Sequence, residues 1–100
     1  MSTTIKSFAR GAFEISSATL YTVPSSTTAL VTNIVVSNTS AQTQQFTILF
    51  DGVEVVPTSD ISAKSVATFD MKQAIATTKI IAGYATSTDV KYHITGAELA

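Results

Sequence analysis

The dipeptide Asp51-Gly52 sits between two apolar runs, residues 46–50 and 53–56, and it restricts the possible folds more than any other feature. A two-residue hairpin of type I′ needs positive φ at both central positions, and Asp-Gly meets that need with little strain. With these two as the turn, Phe50 pairs with Val53 and Ile48 with Val55. Side chains alternate along a strand, so Phe46, Ile48, Phe50, Val53 and Val55 are expected to share one face. Upstream, residues 29–37 read as a long strand. Its pattern predicts Leu30, Ile34 and Val36 on one face and Val31, Asn33, Val35 and Ser37 on the other.

The remaining segments are short and β-like. Residues 1–11 are polar apart from Ile5 and Phe8 and read as an N-terminal arm, with residues 12–100 as the domain. A short strand is predicted over 12–15, with Phe13 and Ile15 on one side. Another covers 20–23 and is stopped by Pro24, which cannot donate to a ladder. Residues 57–64, rich in Ser and Asp, read as a connection. Residues 65–71 form a strand with Ala67, Phe69 and Met71 facing one way. Residues 71–76 have helical spacing but are too short to stand as a helix, so one turn or a bent strand is expected. A strand over 79–86 places Ile80, Ala82 and Tyr84 on one face. In 89–96, Val90, Tyr92 and Ile94 alternate with Lys91, His93 and Thr95, apolar side in and polar side out. The sum is an all-β chain: a single antiparallel β-sandwich, jelly-roll or Ig-like, of seven to eight short strands.

Composition narrows the function classes. One hundred residues make one domain with one core. Charged residues are only 13% of the chain, about half the usual share, so Ser and Thr must supply most of the polar surface. The net charge of −1 gives no electrostatic basis for binding nucleic acid or an acidic membrane. No apolar run approaches the roughly 20 residues that span a bilayer, and residues 1–13 lack the apolar core of a signal peptide. The chain has no cysteine, hence neither disulfides nor thiol chemistry.

No reaction centre is expected. His93 is the single histidine, and the alternation puts it on a solvent face, where a hydroxyl nucleophile would gain little from it. With one His and no Cys, a zinc site is not expected. Asp51, Glu54, Asp60, Asp70 and Asp89 lack the spacing of a calcium loop. Asn38-Thr39-Ser40 fits a glycosylation sequon and is taken as a chance match in a polar loop. No catalytic, cofactor-binding or metal-ligating residue is therefore expected. What is left over is apolar. Val31, Val35, Leu49, Val56 and Ile81 are expected on outer faces, and Ile5 and Phe8 on the arm. These seven are the candidate protein-interface residues.

The run Leu20-Tyr21-Thr22-Val23-Pro24, the stretch from Thr28 to Thr39 (TALVTNIVVSNT) and the Asp51-Gly52 turn resemble small structural proteins of tailed bacteriophages. Ile94-Thr95-Gly96 matches the Ile-x-Gly that closes the last strand there, and the resemblance covers roughly residues 18 to 98. It implies a non-enzymatic virion protein without cofactor, most readily a capsid decoration or cement protein that binds the head lattice and stabilises capsomer contacts. The implied partners are the major capsid protein and further copies of the chain, a homo-oligomer with the trimer favoured; neither nucleic acid nor membrane is implied. The implied location is the capsid surface of the virion, after assembly in the host cytoplasm. The alternative is a tail or fibre β-sandwich module that binds host glycan or other tail proteins. The matching motifs are turns and strands, so they bear on fold more directly than on role.

Overall fold

The computed structural model describes residues 3–100; Met1 and Ser2, part of the expected arm, lie outside the described residues. Among the described residues there is no helix. Eight strands run in chain order: β1 (Thr3–Ala12), β2 (Ala18–Thr22), β3 (Thr28–Asn38), β4 (Gln44–Phe50), β5 (Val53–Ile61), β6 (Val66–Ile75), β7 (Ile80–Ala85) and β8 (Val90–Leu99). They form two four-stranded antiparallel sheets, ordered β1-β8-β3-β6 and β2-β7-β4-β5. Side chains from both sheets meet in one buried cluster that includes Phe13, Val31, Ile34, Phe46, Ile48, Ile81 and Ile94. The abundance of β-branched residues suits this arrangement, because such side chains pack well on a pleated, half-buried surface.

The hairpin forms as its sequence demands. Asp51 and Gly52 have φ of 52° and 78°, and Phe50 pairs with Val53. Beyond that pair the expected register fails. Leu49 lies opposite Glu54 but Ile48 lies opposite Val56, so Val55 is an extra residue, a β-bulge. The bulge turns Val56 into the core; Val53, paired with buried Phe50 but at the end of an edge strand, stays 70% exposed. A second break follows, with Pro57 and Thr58 set against Thr47. β5 therefore continues through the expected connection to Ile61, with its proline on an edge strand, where a missing donor costs no ladder bond.

A bulge line also crosses the first sheet. Relative to β8, β1 has Phe8 as an extra residue and β3 has Thr32. Thr32 shifts the phase of β3, so Ala29 and Val31 join Ile34 and Val36 in the core while Leu30 moves to the outer face. Residues 3–12 are thus a strand of the sheet, paired along their length with β8, and not a free arm. Phe8 is buried and stacks on Tyr21 at 4.6 Å.

Other expectations are met or shifted by a phase. β8 alternates as read, with Val90 and Ile94 buried and His93 exposed. β6 keeps Ala67, Phe69 and Met71 packed on the core, and the helix-like 71–76 segment is mostly strand. In β7 Ile81, Ala82, Gly83 and Ala85 are buried and Ile80 and Tyr84 are half-buried, so the expected Ile80, Ala82, Tyr84 face is not the core face. Phe13 lies in the link between β1 and β2 and is fully buried, whereas Ile15 is largely exposed.

Asn38, the sequon residue, is buried at the end of β3. Its Nδ2 donates to the carbonyls of Gln42, Ile61 and Ser62 at 2.8, 3.1 and 3.2 Å, and its Oδ1 accepts from Ser40 N and Oγ at 2.9 and 2.7 Å. The side chain ties two loop regions to the end of the first sheet and is not presented for modification. Buried polar groups need such partners, which explains an Asn inside an apolar layer.

Candidate functional site

Cross-strand partners share a face, so the register defines the outer surface of the first sheet row by row. Ile5 on β1 lies opposite Ala97 on β8; Ala97 lies opposite Leu30 on β3; Leu30 lies opposite Ala74 on β6. These four make an apolar row across the whole sheet, exposed at its two ends and half-buried in the middle. The next row is polar, Ser7, Thr95, Asn33 and Asp70, with Asn33 Nδ2 donating to Asp70 Oδ1 at 2.9 Å. Beyond it come Arg10, His93, Val35 and Thr68. The face is thus an apolar strip beside hydroxyls and a basic corner.

The outer face of the second sheet differs. Leu49 is half-buried between Ala82 and Glu54. Thr47 is fully buried, its hydroxyl 2.8 Å from that of Thr58. Ile15, Thr58, Tyr84 and Thr86 line a shallow groove there. At the margin where β5 lies beside the end of β6, Phe50, Val53, Val55 and Ile75 line a cleft rimmed by Asp51 and Glu54.

The structure divides the seven candidate interface residues. Ile5 is exposed, and Val35 is half-buried on the same outer face; Leu49 is half-buried on the opposite sheet. Phe8, Val31, Val56 and Ile81 are core residues, which corrects the outward placement of Val31, Val56 and Ile81 and the anchoring role given to Phe8. The physical reason is the same for Phe8, Val31 and Val56: a bulge at or beside each reverses the inside–outside phase. Ile81 is displaced because β7 follows the phase of its partner β4, where it lies opposite Phe50. Alternation missed Leu30, Ala97, Ala74 and Val53. A signal for Leu30 was present, since Thr32-Asn33 puts two polar residues between buried aliphatics; Val55-Val56-Pro57, which breaks alternation just before a proline, likewise marks the bulge that buries Val56.

Among the described residues no three His, Cys, Asp or Glu side chains converge as a metal site would require. His93 stands on the solvent face, as the alternation implied. Every buried side-chain polar atom among the described residues has a hydrogen-bond partner.

The most perturbed group is Tyr21, whose hydroxyl donates to Glu98 across the gap between the sheets. Burial raises its pKa well above the ordinary 10.0, and the Glu98 hydrogen bond and charge raise it further. Burial, then the Glu14 charge, raises Tyr92 as well. Above about pH 10 the unfolded chain releases the Tyr21 proton while the folded chain keeps it. Its stabilising contribution is therefore complete below pH 10 and is lost as pH rises beyond it. Urea unfolding of the wild type should show stability falling with pH above 10, with a shallower fall in Tyr21→Phe. Parallel slopes would remove Tyr21 as the cause.

A comparison of the chain with protein-family models finds no match, and a search of curated proteins finds none.

Proposed function

We propose that this chain is a non-enzymatic structural subunit of a tailed-phage particle, a decoration or cement protein that lies on the capsid surface, binds the major capsid protein and associates with copies of itself. The observation that carries this reading is the apolar row Ile5, Ala97, Leu30, Ala74 on the open face of the first sheet. Apolar residues side by side on adjacent strands mark a contact surface, and isolated ones do not. The strand orders β1-β8-β3-β6 and β2-β7-β4-β5 are those of two interlocked four-strand keys, which favours the jelly-roll form of a β-sandwich over the Ig-like one. The residues of the phage resemblance supply β2, β3 and the hairpin turn of such a domain. The task needs a rigid body with sticky faces and draws on no cofactor.

The groove formed by Ile15 and Tyr84 favours one second reading, a tail or fibre module that takes a glycan. Labelled micrographs of particles carrying the protein separate the two. Label over the head, lost on Leu30→Asp at constant fold, is the expected result. Label at the tail with glycan-array binding that disappears in Tyr84→Ala would replace the head assignment.

A further inference from the structure

The two lateral margins of the molecule differ in shape and charge. One margin is β1 beside β2, joined through the Phe8–Tyr21 stack. On it Ile5 projects with 84% of its surface exposed, the most exposed large hydrophobic side chain among the described residues. The other margin is β5 beside the end of β6, and between them opens a cleft of about 410 Å³. Phe50 and Ile75 are buried there, while Val53 and Val55 remain accessible beside them. The charges are opposite. Lys6 and Arg10 are the charged residues of β1, Lys6 lying 3.5 Å from Glu98 and Arg10 without an ion-pair partner among the described residues; Glu54 and Asp60 are those of β5, with Asp51, 4.0 Å from Lys79, at the cleft mouth. Glu54 has no ion-pair partner among the described residues.

On the footing that the chain is an assembling subunit, we propose that Ile5 of one copy seats in the Phe50–Val53–Ile75 cleft of the next, with basic β1 lying along acidic β5. One exposed isoleucine does not by itself name its partner. What selects a second copy as the occupant is the apolar cleft on the opposite margin together with the reversed sign of charge on the two strands. Complementary charge brings the margins together in the right pairing, and burial of the isoleucine holds them. Strand addition is not the mode of contact. β1 carries the Phe8 bulge and β5 two register breaks and a proline, devices that blunt an edge against ladder extension. Because the two surfaces differ, the contact is heterologous, and repeated about a closing rotation it builds a ring.

The absence of native cysteine makes the test direct. Ile5→Cys and Val53→Cys are made in separate copies of the full chain, with thermal melts confirming that each folds. The two are mixed under mild oxidant. A disulfide-linked mixed dimer is expected, at a yield about tenfold or more above that of either variant alone. Light scattering on the cysteine-free chain should show mass above the monomer at high micromolar concentration, and Ile5→Asp should move that association to about tenfold higher concentration. Links only between like variants, no link at all, or a wild type that stays monomeric throughout would each overturn the contact. Head labelling reports separately: a chain that labels heads but gives no mixed link sinks the cleft contact alone, and one that links but labels no head sinks the head assignment alone.

Discussion

Gly96→Ala should destabilise the fold by more than about 3 kcal/mol. Gly96 is buried on β8, opposite Val31 and Lys6, where both neighbouring strands bulge. The bulges bring β3 so close that a β-carbon on Gly96 would overlap the Leu30 carbonyl oxygen, and it would also stand 2.8 Å from Cε2 of Phe8. A flexible side chain could swing away; a carbonyl in the middle of a ladder cannot move without displacing β3. Ordinary overpacking costs about 1–3 kcal/mol, and a backbone overlap belongs above that range. Small domains have roughly 5–15 kcal/mol in all. A loss above about 3 kcal/mol should lower Tm by more than roughly 12 °C, read by circular dichroism. Combining Gly96→Ala with Phe8→Leu relieves the ring contact but not the carbonyl overlap, so no rescue is expected. A variant melting within a few degrees of the wild type would mean that the strands are not this close.

Phe13→Ala is expected to cost about 3–5 kcal/mol, the range for emptying a large aromatic site in a core. Phe13 belongs to no strand, yet it is fully buried. Its ring lies 4.9 Å from that of Tyr92 and 6.2 Å from that of Phe46, so it touches both sheets. Gly83 makes room for it: a β-carbon there would come within 2.9 Å of Phe13 Cε1. The link is clamped on either side, by Phe13 N donating to Val90 O and Ala85 N donating to Glu14 O, each at 2.9 Å. Two residues on, Ile15 is 71% exposed, and Ile15→Ser should change stability by less than about 0.5 kcal/mol. Urea unfolding of both variants checks the contrast. Equal costs would put Phe13 and Ile15 on one face after all, as simple alternation has it.

Both cases show where local reading stops. The strand pattern of β8 and the packed face of β6 are legible because nothing interrupts their alternation at the residues concerned. The inward face of β3 was half legible: Ile34 and Val36 follow the pattern, while Leu30 and Val31 exchange roles across Thr32. Ile5, Val35 and Leu49 could be read from sequence as apolar residues outside the core. The row that gives Ile5 its neighbours could not, since Ala97, Leu30 and Ala74 come from distant parts of the chain and meet only through register. Residues 3–12 looked like an arm because their apolar residues are sparse; they are a strand because β8 offers a free edge whose donors and acceptors need partners.

The all-β class, the Asp51-Gly52 turn and the strand-forming character of most segments are properties of the sequence itself. They depend on φ preferences and on β-branched side chains, which act within a few residues. The choice of which aliphatics are core and which are surface belongs to the tertiary structure. A single extra residue in one strand reverses every side chain beyond it, and whether that residue is extra depends on how many the partner strand places opposite, a matter no local pattern contains.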